Sequence, residues 1–277
     1  HGLSYLSWEE QVARERWRDF GARMNAVSVA NGEEEAIIAA AREAFSEIYR
    51  LFQALYPFDP GQLTRKVTSL NPEAGAHPVP DDPGEIEAAL HAGQRCWLEY
   101  PYFAWRFGER GRRYTNSDGA WLVTLTTRDQ AVINAQVEWL GVVLASRGIP
   151  RILLQRHLEL LYEELMTRMP AQRAANYRKL LAAADHLAEQ RRTVISDADL
   201  DAICNRFEQA VGPDWRARLP GIGNLLVSAV TDQRHGIMQA APRLESWLTD
   251  PERFPPHWIA AVREGLQQAR ERANASF

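Results

Sequence analysis

Two residue types are scarce in this chain of 277: cysteine, at Cys96 and Cys204, and lysine, at Lys66 and Lys179. Two isolated cysteines with no CxxC exclude a disulfide scaffold and point to a reducing compartment, the cytoplasm. Apolar runs are short as well. The longest, such as Trp139–Ala145, fall well below the roughly 18 residues of a membrane-spanning helix, so no membrane association is expected. The first residues lack a basic region followed by an apolar one, so no signal peptide is expected. Catalytic signatures are missing too. There is no GxxxxGK[ST], GxSxG, HExxH or EF-hand loop, and no Glu-x-x-His of the kind that di-iron bundles use. Gly221-Ile-Gly223 begins like a dinucleotide fingerprint, but Leu226 stands where the third glycine belongs.

Arginine takes the place of lysine: the 32 basic residues include only those two lysines. Arginine binds phosphate and carboxylate bidentately. An excess spread along the whole chain is, however, a compositional bias, like the abundant alanine. The net charge of −4 lacks the positive field of a general nucleic-acid binder, and no nucleic-acid partner is expected. The chain is 45% hydrophobic and 25% charged, which excludes wholesale disorder.

Helical periodicity runs nearly throughout. Ser7-Trp-Glu-Glu10 is a capping box that opens a helix to Ala26. From Glu33 to Tyr56, Ile37, Ile38, Ala41, Phe45, Ile48, Leu51, Phe52 and Leu55 form one apolar stripe. Six of the 15 prolines fall in residues 57–84, marking a long connection and a domain boundary. Asp82-Pro83-Gly84-Glu85 opens a helix to Trp97, and Thr127-Arg-Asp-Gln130 opens another to Ser146. That second helix is apolar on most of its circumference, so it reads as central and covered. Its polar strip of Gln130, Asn134 and Glu138 reads as facing solvent. Further helices are expected over 150–169, 171–192, 196–211, 220–241 and from 255 onward. The expected fold is all-α, an irregular multi-helix bundle of about eight or nine helices with no significant β-sheet. The expected organisation is an N-terminal helical hairpin over 1–56, the connection 57–84, and a main helical domain over 85–277, with one compact domain overall as the alternative.

Two features carry functional expectations. Residues 97–114 hold seven of the chain's 26 aromatic residues, with arginines interleaved. Aromatic and arginine side chains are enriched at binding hot spots, and together they can hold a flat anionic ligand. Trp97, Tyr100, Tyr102, Trp105, Arg106, Arg110, Arg112, Arg113 and Tyr114 are therefore candidate residues for a protein partner or small ligand. The competing reading is an irregular segment that anchors itself to the helical core by its rings. The second feature is His157, which falls inside the face formed by Leu153, Leu154, Leu158, Leu160, Leu161 and Leu165. Glu164 lies about 10 Å further along the same line. An imidazole turned into a core needs a partner: a carboxylate, a carbonyl, or a metal such as haem iron. His91 with Glu87 reads as a surface pair, His186 and His235 read as solvated positions opposite their apolar faces, and His77 falls in the proline-rich connection.

Three functional readings follow. One is a non-catalytic sensory, regulatory or adaptor protein that binds through 97–114. Another is a helical enzyme with haem or a single metal at His157 and Glu164. The third is a structural subunit that oligomerises through the aromatic segment.

Overall fold

The computed structural model describes residues 18–19, 22–23, 33–55, 67–75 and 77–275. The Ser7 capping box lies outside these residues. The chain divides into two compact units, His1–Phe58 and Asp59–Phe277. In the first, α1 spans Glu33–Leu55, with Ile37, Ile38, Phe45 and Ile48 of the apolar stripe exposed.

The second unit holds ten helices among the described residues: α2 (Val67–Leu70), α3 (Pro83–Glu99), α4 (Tyr102–Leu125), α5 (Gln130–Ala145), α6 (Arg151–Arg168), α7 (Ala174–Arg192), α8 (Asp197–Arg218), α9 (Ile222–Arg234), α10 (Ala240–Leu248) and α11 (Pro256–Ala275). The described residues contain no strand, so the all-α class holds. With α1 they count 11 helices, more than eight or nine. One reason is that expected helices are subdivided: the stretch 220–241 breaks at His235–Gln239, leaving α9 and α10 on either side. None of the described helices is long and apolar enough to cross a membrane.

Local chemistry sets several boundaries. Asp82 accepts a hydrogen bond from Gly84 N at 2.9 Å and opens α3, with Pro83 in its first turn. Thr127 does not cap α5; the cap position is Asp129, and the Thr127 hydroxyl donates to Thr124 O. In α8 the helix breaks at Gly212 (φ 80°) and restarts after Pro213 instead of ending there.

The central helix is α9, not α5. From Ile222 to Asp232 nearly every α9 residue is buried, with α6, α7, α8, α10 and α11 packed around it. Helix α5 keeps Val132, Trp139 and Val142 exposed. Its polar strip turns to α7 rather than to open solvent. Gln130 Nε2 donates to Lys179 O, and Glu138 pairs with His186 Nε2 at 2.7 Å and with Gln190. His186 is thus half-buried against Glu138, and His235 contacts Gln190 O. The surface pair His91–Glu87 is present at 3.9 Å.

Helix α6 opens after Pro150 without a local side-chain cap. Its first N–H groups are met from α9. Asp232 Oδ2 accepts from Arg151 N at 2.9 Å, and Ser228 Oγ accepts from Ile152 N at 3.1 Å. Asp232 Oδ1 also binds Arg151 Nε at 2.6 Å, so a buried ion pair and a helix cap share one carboxylate. This fixes the start of α6, and with it the depth of His157.

Candidate ligand-binding site

Residues 97–114 are helical rather than irregular. They contain the end of α3, a turn at Tyr100–Pro101, and the first half of α4. Gly108 interrupts α4 at φ 52°, ψ −154°, a backbone conformation open to glycine. Beyond it, Gly111, Tyr114, Asp118 and Leu122 follow at steps of three and four and share one face. That face, Leu140 and Leu144 of α5, and Leu153, Leu154 and His157 of α6 enclose a cavity of about 580 Å³. Cys96 of α3 lines it too, as do Arg147 and Ile149 between α5 and α6 and Phe103, Arg106, Phe107 and Arg110 of α4. The volume suits a small organic molecule.

The cavity's polar groups divide into committed and uncommitted. Arg106 is committed: it donates to Tyr102 Oη and to the carbonyls of Gly148, Arg147 and Arg243, tying the α5–α6 turn to α10. Arg110 pairs with Glu73 at 2.7 Å, and Arg113 takes the second Glu73 oxygen at 2.7 Å. The two guanidiniums hold the Glu73 carboxyl below its ordinary range, and the Tyr114 hydroxyl donates to Glu73 O. Thr115 accepts from Trp97 Nε1 and donates to Gly111 O. Burial pushes the Cys96 thiol up to about 12, so it remains protonated.

Three groups remain. Both ring nitrogens of His157 are buried without a hydrogen-bond partner. Burial lowers its titration to about 4, so the imidazole is neutral near pH 7. Asp118 has the Ser117 hydroxyl at 3.5 Å as its hydrogen-bond partner, and burial raises its carboxyl to about 6 against the opposing pull of that hydroxyl and of the Arg147 charge. Arg147 is exposed at the cavity's edge and makes no side-chain hydrogen bond or ion pair with the described residues.

The tip of the His157 ring is seated against glycine. A Cβ on Gly119 would stand 3.0 Å from Nε2, and one on Gly93 would stand 4.0 Å from Cε1. Glu164 does not meet His157 through any hydrogen bond or ion pair; it is held by Arg95 at 2.9 Å and Arg168 at 3.0 Å. Among the described residues, no group of three or more His, Cys, Asp and Glu is placed to hold a metal.

The remaining candidates from 97–114 scatter. Trp97 stacks on Phe103 at 5.5 Å, and Tyr100 packs on Gly221. Tyr102 is fully buried and donates to Gly148 O, with its ring against Trp247. These three anchor the segment to the core. Trp105 is half exposed at the edge of Trp215, and Arg112 pairs locally with Glu109. The cavity therefore gathers Arg106, Arg110, Tyr114 and His157 from the candidates and adds Phe103, Phe107, Asp118 and Arg147. The helical spacing from Gly111 to Leu122 was the signal for Asp118, concealed by the reading of 97–114 as irregular. Arg147 carries no such sequence signal.

Comparison with protein-family models, curated proteins and solved structures gives no match.

Proposed function

We propose that this protein binds a small, largely apolar organic molecule in the cavity between α3, α4, α5 and α6, and acts as a sensor or regulator whose state follows occupancy. The observation that carries this reading is the convergence of the aromatic/arginine segment and His157 on one cavity of about 580 Å³. Phenylalanine and leucine walls supply apolar burial, while His157 and Asp118 supply directed polar contacts. Helix α4 links cavity to surface. Its inner face lines the ligand space, and Trp105 and Arg112 lie outside it. The break at Gly108 divides the two turns that carry these residues.

A haem- or metal-dependent enzyme centred on His157 is the competing reading, and the two unpartnered ring nitrogens favour it. The seat of Nε2 against Gly119 weighs against it, because iron ligation needs that atom withdrawn into open space.

Titration with the uncharged fluorophore N-phenyl-1-naphthylamine tests the proposal. One saturable site is expected, abolished by Leu144→Trp, which fills the cavity. Absence of binding, or binding indifferent to Leu144→Trp, refutes the cavity as the ligand site. A Soret band or stoichiometric metal that is lost in His157→Ala replaces this reading with the enzyme.

A further inference from the structure

Resting on the cavity reading, we infer that the ligand is an amphiphilic monocarboxylate, its carboxylate held by the Arg147 guanidinium at the cavity mouth and its apolar body packed among Phe103, Phe107, Leu122, Leu140 and Leu144.

Three arginines and one aspartate line the cavity, so its charged lining is net positive. Arg106 is spent on carbonyl oxygens and Arg110 on Glu73. Arg147 alone of the three makes no side-chain hydrogen bond or ion pair among the described residues, acting on Asp118 only through its charge, and its planar pair of donors matches the two oxygens of a carboxylate. Its position fits such a role. The residue is exposed while lining the cavity, so a bound carboxylate stays partly hydrated and the apolar body alone is fully desolvated. The Asp118 carboxyl already draws on the Arg147 charge, which favours a single negative charge on the ligand over a dianion. The imidazole of His157 adds a neutral donor or acceptor deeper in the wall.

Displacement of N-phenyl-1-naphthylamine by decanoate and by decan-1-ol, both below their aggregation concentrations, tests the inference. Decanoate is expected to displace the probe about 10- to 100-fold more effectively than the alcohol, the value of a charge-assisted contact. Arg147→Gln is expected to erase that preference, bringing decanoate down to the level of the alcohol. Arg112→Gln, which removes an exposed arginine outside the cavity, is expected to preserve it. Equal displacement by acid and alcohol overturns the carboxylate inference while leaving the cavity reading intact. So does a preference that survives Arg147→Gln, or one that falls equally in Arg112→Gln. Failure of the probe to bind, or its indifference to Leu144→Trp, overturns both.

Discussion

The contact between His157 and Gly119 gives the sharpest test of how the cavity wall is built. Gly119 lies inside α4, where alanine is intrinsically the better residue by about 1 kcal/mol. An added Cβ would, however, meet His157 Nε2 at 3.0 Å, inside ordinary van der Waals contact. Helix α6 is pinned at its start by Asp232 and Ser228, so the imidazole cannot retreat by moving the helix. Overpacking of this kind costs about 1–3 kcal/mol. Gly119→Ala is therefore expected to destabilise the protein by a net of about 0–2 kcal/mol. In a His157→Ala background the obstacle is gone, and the same substitution is expected to stabilise by about 1 kcal/mol. The coupling between the two positions is then about 1–3 kcal/mol. For a chain of this size that corresponds to roughly 2–4 °C in Tm for each kcal/mol. Urea unfolding of the four proteins in the cycle measures it directly. Gly93→Ala is the control: its new Cβ first meets Thr115 Cγ2 at 3.2 Å and lies 4.0 Å from His157 Cε1, so it is expected to couple weakly. Additivity of Gly119→Ala and His157→Ala within about 0.5 kcal/mol would show that the imidazole does not occupy the glycine notch.

Three more outcomes follow from the same geometry. Asp118 and His157 give stability opposite slopes with pH. Asp118 is raised from 3.8 to about 6, so its contribution is full below pH 3.8 and is lost as pH rises through 6; His157 is lowered from 6.5 to about 4, so its contribution is full above pH 6.5 and is lost as pH falls through 4. Each amounts to something on the order of 3 kcal/mol, and between pH 4 and 6 they largely cancel. Urea midpoints are therefore expected to drop with acidification in Asp118→Asn and to climb with it in His157→Gln; profiles parallel to the wild type in both would refute this assignment. Asp232→Ala uncaps α6 and strands the buried Arg151 charge, so a loss of about 3–5 kcal/mol is expected, and a loss below about 1 kcal/mol would show that the pair does not hold the helix. Glu73→Gln removes two solvent-exposed ion pairs and is expected to shift stability by less than about 1 kcal/mol, a shift that 1 M NaCl removes from the wild type; a loss above about 2 kcal/mol would make the Glu73 clamp a structural support of the cavity.

Much of the helical framework was legible because its signals are local. Asp82-Pro83-Gly84 starts α3 with a bond that spans two residues. The faults lie where a residue's role is set across the fold. Helix α5 has the composition of a buried helix, yet exposes Trp139 because its polar strip bonds to α7. Helix α9 carries Ser228, Thr231 and Asp232 within its buried length. Ser228 and Asp232 are buried in order to serve α6, from 76 and 81 residues away. Sequence periodicity contains no term for such a contact, so it read α5 as central and gave no sign that α9 is.

The same distinction separates the cavity's two most informative residues. His157 stood out because an imidazole inside a leucine face contradicts its surroundings at the level of one helix. Arg147 contradicts nothing: it follows a helix end and is exposed, as most arginines in this chain are. What sets it apart is that its cavity neighbours Arg106 and Arg110 are held by hydrogen bonds and ion pairs, while among the described residues its side chain makes neither. That is a property of the finished packing. Buried groups can be predicted from the cost of burying them. A group reserved for a ligand is recognised only after every internal claim on it has been counted, and so the chemistry of the bound molecule is the last thing a sequence of this kind discloses.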